Sequence, residues 1–339
     1  MSKQFDVLVT IGRFQPFHLG HKAVIDEALK QAKEVVVVVG SSFAARNIRN
    51  PFTFEERKQM IKSVYPSDRV KVVPVSDYPY NDNKWVAAIQ TIVNGAISYT
   101  PDPIKIGLIG HNKDSTSYYL KIFPTWDNIE VDNFDNINAT DIRKGFLADG
   151  GQNNEMYLLP PSVKNFLNKF IETLDWKTLQ VEQEMMLKYK QAWSSAPFTP
   201  TFVTVDTVVI QSGHILLVKR KGYPGKGLFA LPGGFLNQNE TMLDGSIREL
   251  KEETGIKVPI AVLKGSIKDS KVFDHPNRST RGRTITQAFF VDLGFDKTLP
   301  KVKGSDDAEK AFWMPFNKLR QDQFFEDHWH IVDYFTNIG

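Results

Sequence analysis

Short aliphatic runs separated by helical stretches fill the first half of the chain, and they constrain its fold more than any other feature. Asp6-Val7-Leu8-Val9-Thr10-Ile11 and residues 35–39 are apolar on nearly every consecutive position. Strict alternation would mark a strand with one wet face, whereas a continuous run marks a strand covered on both faces. Residues 70–75 and 104–109 repeat the pattern. Helical stretches lie between the runs, one of them over about residues 21–33. Another opens at Thr53, whose pairing with Glu56 is the signature of a capping box. Strands separated by helices predict a parallel α/β sheet. Right-handed crossovers then bring the loops after the first, second and fourth strands to one edge of that sheet.

The pattern changes at Ser194-Ser195-Ala196-Pro197-Phe198-Thr199-Pro200, where small residues and two prolines break a helical stretch over about residues 160–193. With 339 residues and about 150 residues per domain, the expected division is a first domain over 1–175, a helix and linker over 176–199, and a second domain over 200–339. In the second half, residues 202–210 and 215–219 flank Gln211-Ser212-Gly213-His214 as a hairpin. A helix is predicted over 242–254, closed by Gly255, with strands near 258–267 and 284–293. This is an α+β pattern with a mixed sheet.

Hydrophobic residues make up 41% and charged residues 24%, which excludes a disordered, collagen-like or rod-like chain. The absence of cysteine excludes disulfides, thiolate nucleophiles, iron–sulfur clusters and cysteine-ligated zinc. A net charge of +3 gives no electrostatic case for nucleic acid or an anionic membrane as partner. The start MSKQFDVLVTIG has no signal pattern, and the longest aliphatic run is far shorter than the roughly 20 residues of a membrane span. A cytoplasmic location is therefore expected.

The first chemistry-bearing segment is Gly12-Arg13-Phe14-Gln15-Pro16-Phe17-His18-Leu19-Gly20-His21, between the first strand and the first helix. There a parallel sheet offers backbone N–H groups and the positive end of a helix to a phosphate. His18 and His21 are three apart, so both rings can face one bound group, and Gly20 permits close approach. With Arg13 they supply donors for charge developing on phosphoryl oxygens. Two histidines without cysteine or a clear third ligand do not make a zinc site.

This segment resembles the signature of the nucleotidyltransferase superfamily with a His-x-Gly-His motif, and its longer string is similar to the archaeal-type nicotinamide mononucleotide adenylyltransferases. A second family signature, Ile-Ser-Thr-x-x-Arg, has its counterpart in Ile137-Asn138-Ala139-Thr140-Asp141-Ile142-Arg143. Thr140 and Arg143 match, while Asn138-Ala139 depart from the pattern. The resemblance covers roughly residues 1–170. It implies a Rossmann-like fold and the transfer of AMP from ATP to nicotinamide mononucleotide, giving NAD and pyrophosphate, with Mg²⁺ or Mn²⁺. It implies catalytic roles for His18, His21 and Arg143. Contacts to ATP or substrate would come from Gly12, Arg13, Phe14, Gln15, Gly20, Ser41, Arg46, Arg49, Gly110, Asn138 and Thr140. Asn81, Asp82 and Trp85 would stand on the mononucleotide side, with Trp85 stacking the pyridine ring.

The second segment spans residues 234–256. Glu249, Glu252 and Glu253 are spaced i, i+3 and i+4, so they share one helical face and form a hard-oxygen site suited to Mg²⁺ or Mn²⁺. Arg248 can pair with Glu252 or Glu240 and hold the cluster in shape. Gly234 ends the turn Leu231-Pro232-Gly233-Gly234 and can offer a carbonyl. At every defining position, Gly234, Glu240 and Arg248-Glu249-Leu250-Lys251-Glu252-Glu253-Thr254-Gly255-Ile256 resemble the Nudix signature. The resemblance implies an α/β/α sandwich that hydrolyses a nucleoside diphosphate linked to another group, with Gly234, Glu249, Glu252 and Glu253 as metal ligands and Glu252 catalytic. The basic stretch over 274–283 resembles that of ADP-ribose-type Nudix enzymes, with Arg278 and Arg283 as phosphate or ribose contacts. Glu309, expected in a loop, is the candidate general base. A Gly225-Lys226-Gly227-Leu228-Phe229-Ala230 string of dinucleotide-fingerprint form leads into a turn, not a helix, and is set aside.

Together the two motifs resemble the bacterial fusion of these enzymes, which would act on ATP, nicotinamide mononucleotide, NAD and ADP-ribose and could assemble as a homo-oligomer. Two alternatives stay open: a nucleotide-sensing module in place of one enzyme, or another mononucleotide as the first substrate.

Overall fold

A computed structural model describes residues 3–98, 103–111, 122–123, 125–132, 137–150, 154–304 and 308–338, without the side chains of 154, 155, 308 and 309. The chain divides into two compact units, Met1–Gln183 and Glu184–Gly339.

In the first unit the order is β1 (Phe5–Gly12), α1 (Leu19–Gln31), β2 (Ala32–Val39), α2 (Phe54–Val64), β3 (Val70–Pro74), α3 (Asp82–Ala96), β4 (Ile106–Gly110), β5 (Asp127–Glu130), α4 (Ala139–Asp149) and α5 (Pro161–Phe170), and α6 (Leu174–Ala192) begins in this unit and ends in the next. The strands lie in the order β3-β2-β1-β4-β5, with every pairing parallel. The continuous apolar runs have the predicted cause. Leu8, Val35, Val37 and Val39 pack on one face with Val24 and Ile25 of α1 and Met60 and Ile61 of α2. Val7, Val9, Val36 and Val38 pack on the other with Ile89 and Val93 of α3. β1 lies between β2 and β4, so the strand order reverses there, and the crevice at the strands' C-terminal ends opens beside Gly12.

The stretch predicted as one helix over 160–193 is two helices. α5 ends at Phe170, and the Thr173 hydroxyl then caps α6 by accepting the Trp176 N–H at 3.2 Å. Early in α6, Leu179 belongs to the core of the first unit. Late in α6, Tyr189 and Trp193 pack their rings on Phe202, with centroids 5.8 and 5.3 Å away.

The second unit contains β6 (Phe202–Gln211), β7 (His214–Arg220), β8 (Phe229–Ala230), β9 (Gly233–Phe235), α7 (Met242–Thr254), α8 (Ile260–Gly265), β10 (Ile267–Phe273), β11 (Thr284–Asp292), β12 (Ala308–Pro315) and α9 (His328–Thr336). The mixed sheet runs β10-β11-β6-β7-β12, with β11 and β6 parallel and the other pairs antiparallel. α7 covers one face through Ile247 and Leu250 against Val209 and Val291. α9 covers the other, with Phe335 stacked on Phe290. The predicted hairpin is present, and its turn residues Ser212 and Gly213 have φ of 48° and 72°, as a tight turn matched to strand twist requires. β6 and β7 pair only next to this turn and then diverge, and β9 and β8 fill the fork, each on one arm. The Leu231-Pro232 link is held inside that fork.

Two expectations are corrected. The strand expected near 258–267 is instead α8, with β10 starting at Ile267. Pro259 accepts the N–H groups of Val262 and Leu263 at 3.0 Å each, and Leu263 is buried against the α7 cluster. A first turn built on proline and one apolar anchor overrides the β preference of the aliphatic residues. Glu309 is not in a loop: its backbone belongs to β12, which pairs with β7. Its side chain lies outside the described residues, as do Ser305, Asp306 and Asp307.

Two candidate active sites

The first site forms where β1 gives way to α1. His18 is the N-cap of α1, and its Nδ1 accepts the His21 N–H at 3.4 Å; in return His21 Nδ1 accepts the His18 N–H at 3.3 Å. A capping box normally pairs a hydroxyl with a carboxylate, and here two imidazoles do both jobs. An Nδ1 that accepts carries no proton, so both rings, when neutral, hold their proton at Nε2. The rings stack with centroids 3.7 Å apart. A Cβ on Gly20 would stand 3.1 Å from the His18 ring, so glycine is what lets this pair close.

Phe14 and Gln15 turn inward. Phe14 is buried and packs on His21 with ring centroids 4.7 Å apart. Gln15 exchanges two hydrogen bonds with Phe52, 2.8 and 2.9 Å. Phe14 thus backs the His21 ring, while Gln15 ties this loop to Phe52. Arg13, by contrast, is exposed. Gly12 ends β1 in register with Val39, and Gly110 ends β4.

α4 opens at Asn138, within the segment that resembles the second family signature. Asn138 is its N-cap and accepts the Thr140 N–H at 2.9 Å. Buried Arg143 donates to the Thr140 hydroxyl at 3.0 Å and to the Gln15 carbonyl at 2.7 Å. Burial, together with Arg13 and Arg49, pulls Arg143 down to about 10, so it remains a cation at neutral pH. Mutual repulsion among these three arginines marks a place that an anion would relieve.

The loop after β2 divides its arginines. Arg46 is held by Glu56 at 2.9 and 3.0 Å and by Asp175 at 3.1 Å. Arg49 faces Arg143 electrostatically. Ser41 is buried with a positive φ of 50°, and its N–H donates to Asp77 at 3.0 Å. Asn81 caps α3 by accepting the Lys84 N–H at 2.9 Å, and Asp82 begins that helix. Trp85 is half-buried, with its ring 6.1 Å from that of Phe123. Of the loop after β4, Asn112, Lys113 and Asp114 lie outside the described residues.

The second site is built on α7. Arg248 is its hub: Nε and Nη2 donate to Glu240 at 2.9 and 2.7 Å, and Nη1 donates to Glu249 and Glu252 at 2.8 Å each. Arg248 holds Glu240 down at about 2. Burial pushes the Glu249 carboxyl up, and it pushes Glu253 up to about 8, with Glu249 and Asp206 adding to the Glu253 shift. Glu253 accepts the Gly233 N–H at 3.0 Å, tying the helix to the turn. That turn has no room for side chains. A Cβ on Gly233 would lie 2.2 Å from the Val205 carbonyl, and one on Gly234 would lie 2.6 Å from the Glu249 carboxylate.

Among the described residues, no group of three histidine or acidic side chains already converges at ligating distance, because Arg248 draws Glu249 and Glu252 to itself. The donors nevertheless fit a hard divalent cation. They are carboxylates on one helical face, beside a turn that leaves no space for a side chain at Gly233, and burial makes the charged forms of Glu249 and Glu253 costly until a cation compensates them.

Arg278 and Arg283, expected to meet the substrate, have protein partners. Arg278 is buried in a two-point pair with Asp327 at 2.9 and 2.8 Å. Arg283 donates to the Asp274 carbonyl. Arg281 lies over the Phe235 ring, 5.2 Å from its centroid. Sequence reasoning missed Arg57, which is fully buried beneath the first site. Its signal was a cation on the same helical face as the buried Met60 and Ile61.

A parallel sheet ending in a paired-histidine helix start and a mixed sheet carrying an Arg-centred carboxylate helix define a nucleotidyltransferase-type domain and a Nudix domain in one chain. Residues 9–145 match the Cytidylyltransferase-like family and residues 164–335 match the NUDIX domain family. A nicotinamide/nicotinic acid mononucleotide adenylyltransferase from Acinetobacter baylyi is 40% identical over 52% of this chain and 93% of that protein. An ADP-ribose pyrophosphatase from Methanocaldococcus jannaschii is 38% identical over 38% of this chain and 70% of that protein. The crystal structure of a bifunctional NMN adenylyltransferase/ADP ribose pyrophosphatase from Francisella tularensis, complexed with AMP and Mn ion, is 40% identical with a TM-score of 0.91. It covers 99% of this chain and 100% of that one. The chain belongs to the family that joins a Cytidylyltransferase-like domain to a NUDIX domain.

Proposed function

We propose that this chain is a bifunctional enzyme of NAD metabolism: its first domain (1–175) transfers AMP from ATP to nicotinamide mononucleotide, and its second (200–339) hydrolyses ADP-ribose to AMP and ribose 5-phosphate. The observation that carries the first reading is the reciprocal His18–His21 cap, with both Nδ1 atoms accepting, beside Arg143 in the field of Arg13 and Arg49. The 5′-phosphate of the mononucleotide is largely dianionic at neutral pH, since its second pKa is about 6, so it needs no general base. Its oxygen bonds to the α-phosphorus as the bond to the β-phosphate oxygen breaks, and pyrophosphate leaves. His18, His21 and Arg143 would donate hydrogen bonds to the phosphoryl oxygens as charge builds on them. Asn138 and Thr140 set the opening of α4 for that grip, and Trp85 is our candidate to stack the pyridine ring.

In the second domain, Glu249, Glu252, Glu253 and the Gly234 carbonyl would hold Mg²⁺ or Mn²⁺. A cation held there would polarise the pyrophosphate and lower the pKa of the attacking water. Arg248 keeps the carboxylates on one side of α7. Glu309 stays our candidate for taking the proton from that water, and Arg283 for meeting the ribose phosphate. Mg²⁺ or Mn²⁺ is proposed for the first site as well.

Product analysis tests both readings. Purified chain with ATP and each of several mononucleotides, with Mg²⁺ or Mn²⁺, should form NAD from the nicotinamide compound. ADP-ribose should yield AMP and ribose 5-phosphate. No nucleotidyl transfer with any acceptor would overturn the first reading in favour of a sensing module, and ADP-ribose left intact while another dinucleotide is cleaved would overturn the second.

A further inference from the structure

Arg57 on α2 has no solvent exposure and is the largest such side chain among the described residues. It lies under the crevice at the ends of β1 and β2. Its Nη1 donates to the Arg13 carbonyl at 2.8 Å and to the Gly40 carbonyl at 2.7 Å. Its Nη2 donates to the Ser41 carbonyl at 3.1 Å, and its Nε to the Thr53 carbonyl at 3.1 Å. One rigid fork thus fixes the backbone of two loops that the sequence assigns to phosphate binding.

Neighbouring bonds complete the brace. The Gly40 N–H donates to the Gly12 carbonyl at 2.9 Å, and the Ser42 N–H donates to the Val75 carbonyl at 3.1 Å. Asp77 accepts the Ser41 N–H at 3.0 Å. The charged groups facing Arg57 are Asp77, Arg13 and Glu56.

Packing alone does not call for a cation here. Met60 and Ile61 fill the same helical face, and an apolar residue would avoid the cost of burying a charge. Carbonyl oxygens carry partial negative charge, and three of them turned toward a triphosphate would repel it. Arg57 draws these three inward and adds a positive charge beneath the loops. The planar guanidinium can do this at several carbonyls at once, which a lysine cannot.

We propose that Arg57 is a positioning residue of the first site: from inside the fold it holds the Arg13, Gly40 and Ser41 carbonyls away from the nucleotide and so shapes the β1 and β2 loops to receive the ATP triphosphate. The proposal rests on the adenylyl-transfer reading above. Arg57→Met and Arg57→Lys in the full chain test it. The readouts are thermal unfolding, ADP-ribose hydrolysis by the same preparations, KM for ATP and for nicotinamide mononucleotide, and calorimetric binding of ATP and of inorganic triphosphate.

A bond from a charged donor contributes about 1.5–3 kcal/mol, so Arg57→Met should raise the ATP KM and the triphosphate Kd by at least about tenfold and move the mononucleotide KM by less than about twofold. Arg57→Lys should recover part of the loss, and it carries the measurement if the methionine variant does not fold. Unchanged ATP KM and triphosphate Kd in a folded variant would overturn the proposal, as would a parallel rise in both substrate KM values. If the unaltered chain binds ATP but forms no NAD, the reaction assignment falls, and the binding ratios alone decide the role of Arg57.

Discussion

The two halves of this chain handle phosphate with opposite charge. In the first, cations lie close together: Arg143 is in the field of Arg13 and Arg49, and Arg57 is buried beneath them. In the second, carboxylates crowd one helical face, and a single arginine binds two of them together with Glu240 from the segment before the helix. The first site can meet an anionic nucleotide directly with N–H donors. The second repels one until a cation intervenes. The small net charge of the chain is therefore a sum over a basic site and an acidic site. The supporting elements differ as well. The cationic site is made from strand ends and helix starts, where backbone geometry does the positioning, and the acidic site stands on the middle and end of one helix.

Single substitutions should separate these sites. The largest effect is expected from His21→Ala, which removes half of the cap of α1 and the donor we propose for the developing charge. NAD formation should fall about 10²- to 10³-fold, with ADP-ribose hydrolysis by the same preparation unchanged. Loss of both activities would show that the two sites are not separable. The reverse test is Glu252→Gln. Removing this proposed ligand should cost at least the upper part of the 10–100-fold range that outer-shell changes cause, so about 100-fold or more in hydrolysis, and leave adenylyl transfer intact. Hydrolysis at the original rate would remove Glu252 from the metal set.

The two sites were not equally legible in the sequence. α7 carries its acidic residues at fixed helical spacing, so the shared face of Glu249, Glu252 and Glu253, the pairing of Arg248 with Glu252 or Glu240 and the stop at Gly255 could all be read from one short string, though not the further bond from Arg248 to Glu249. The parallel sheet was legible because strands buried on both faces leave unbroken apolar runs. Long-range partners left no such trace. Arg46 and Arg49 look alike in sequence, yet Arg46 is held by Glu56 and Asp175 while Arg49 faces Arg143. Arg278 sits in a basic stretch that suggests a phosphate contact, and its partner Asp327 lies far along the chain. Arg57 looked like an ordinary helix cation. Pairing across the fold decides whether an arginine faces ligand or protein, and local pattern does not contain that information.

Arg248→Lys probes the acidic site at intermediate strength. Lysine keeps the charge but loses the fork that reaches Glu240, Glu249 and Glu252 together. Hydrolysis and Mn²⁺ affinity should drop about 10- to 100-fold, measured by kinetics and metal titration. An equal drop in NAD formation would blur the contrast between the sites, because Arg248 has no place in the first.

The smallest effect is expected at His328 and concerns stability. Like the histidines of the first site, it accepts a backbone N–H, here that of Leu231 at 3.0 Å, just before the Gly233-Gly234 turn. It is buried, as His18 is, and it faces Asp206, Asp327, Glu326 and Arg278. Burial pulls its pKa below the usual histidine value, against the opposing pull of the carboxylates. The unfolded chain therefore takes up a proton at a higher pH than the folded one does. The neutral ring's contribution is fully present above about pH 6.5 and is lost as pH falls below it. Urea unfolding followed by ADP-ribose hydrolysis should show a midpoint that declines from pH 7.5 to 5.5 more steeply in the unaltered chain than in His328→Gln, which keeps an acceptor and cannot titrate. Equal slopes would mean that His328 does not carry this pH dependence.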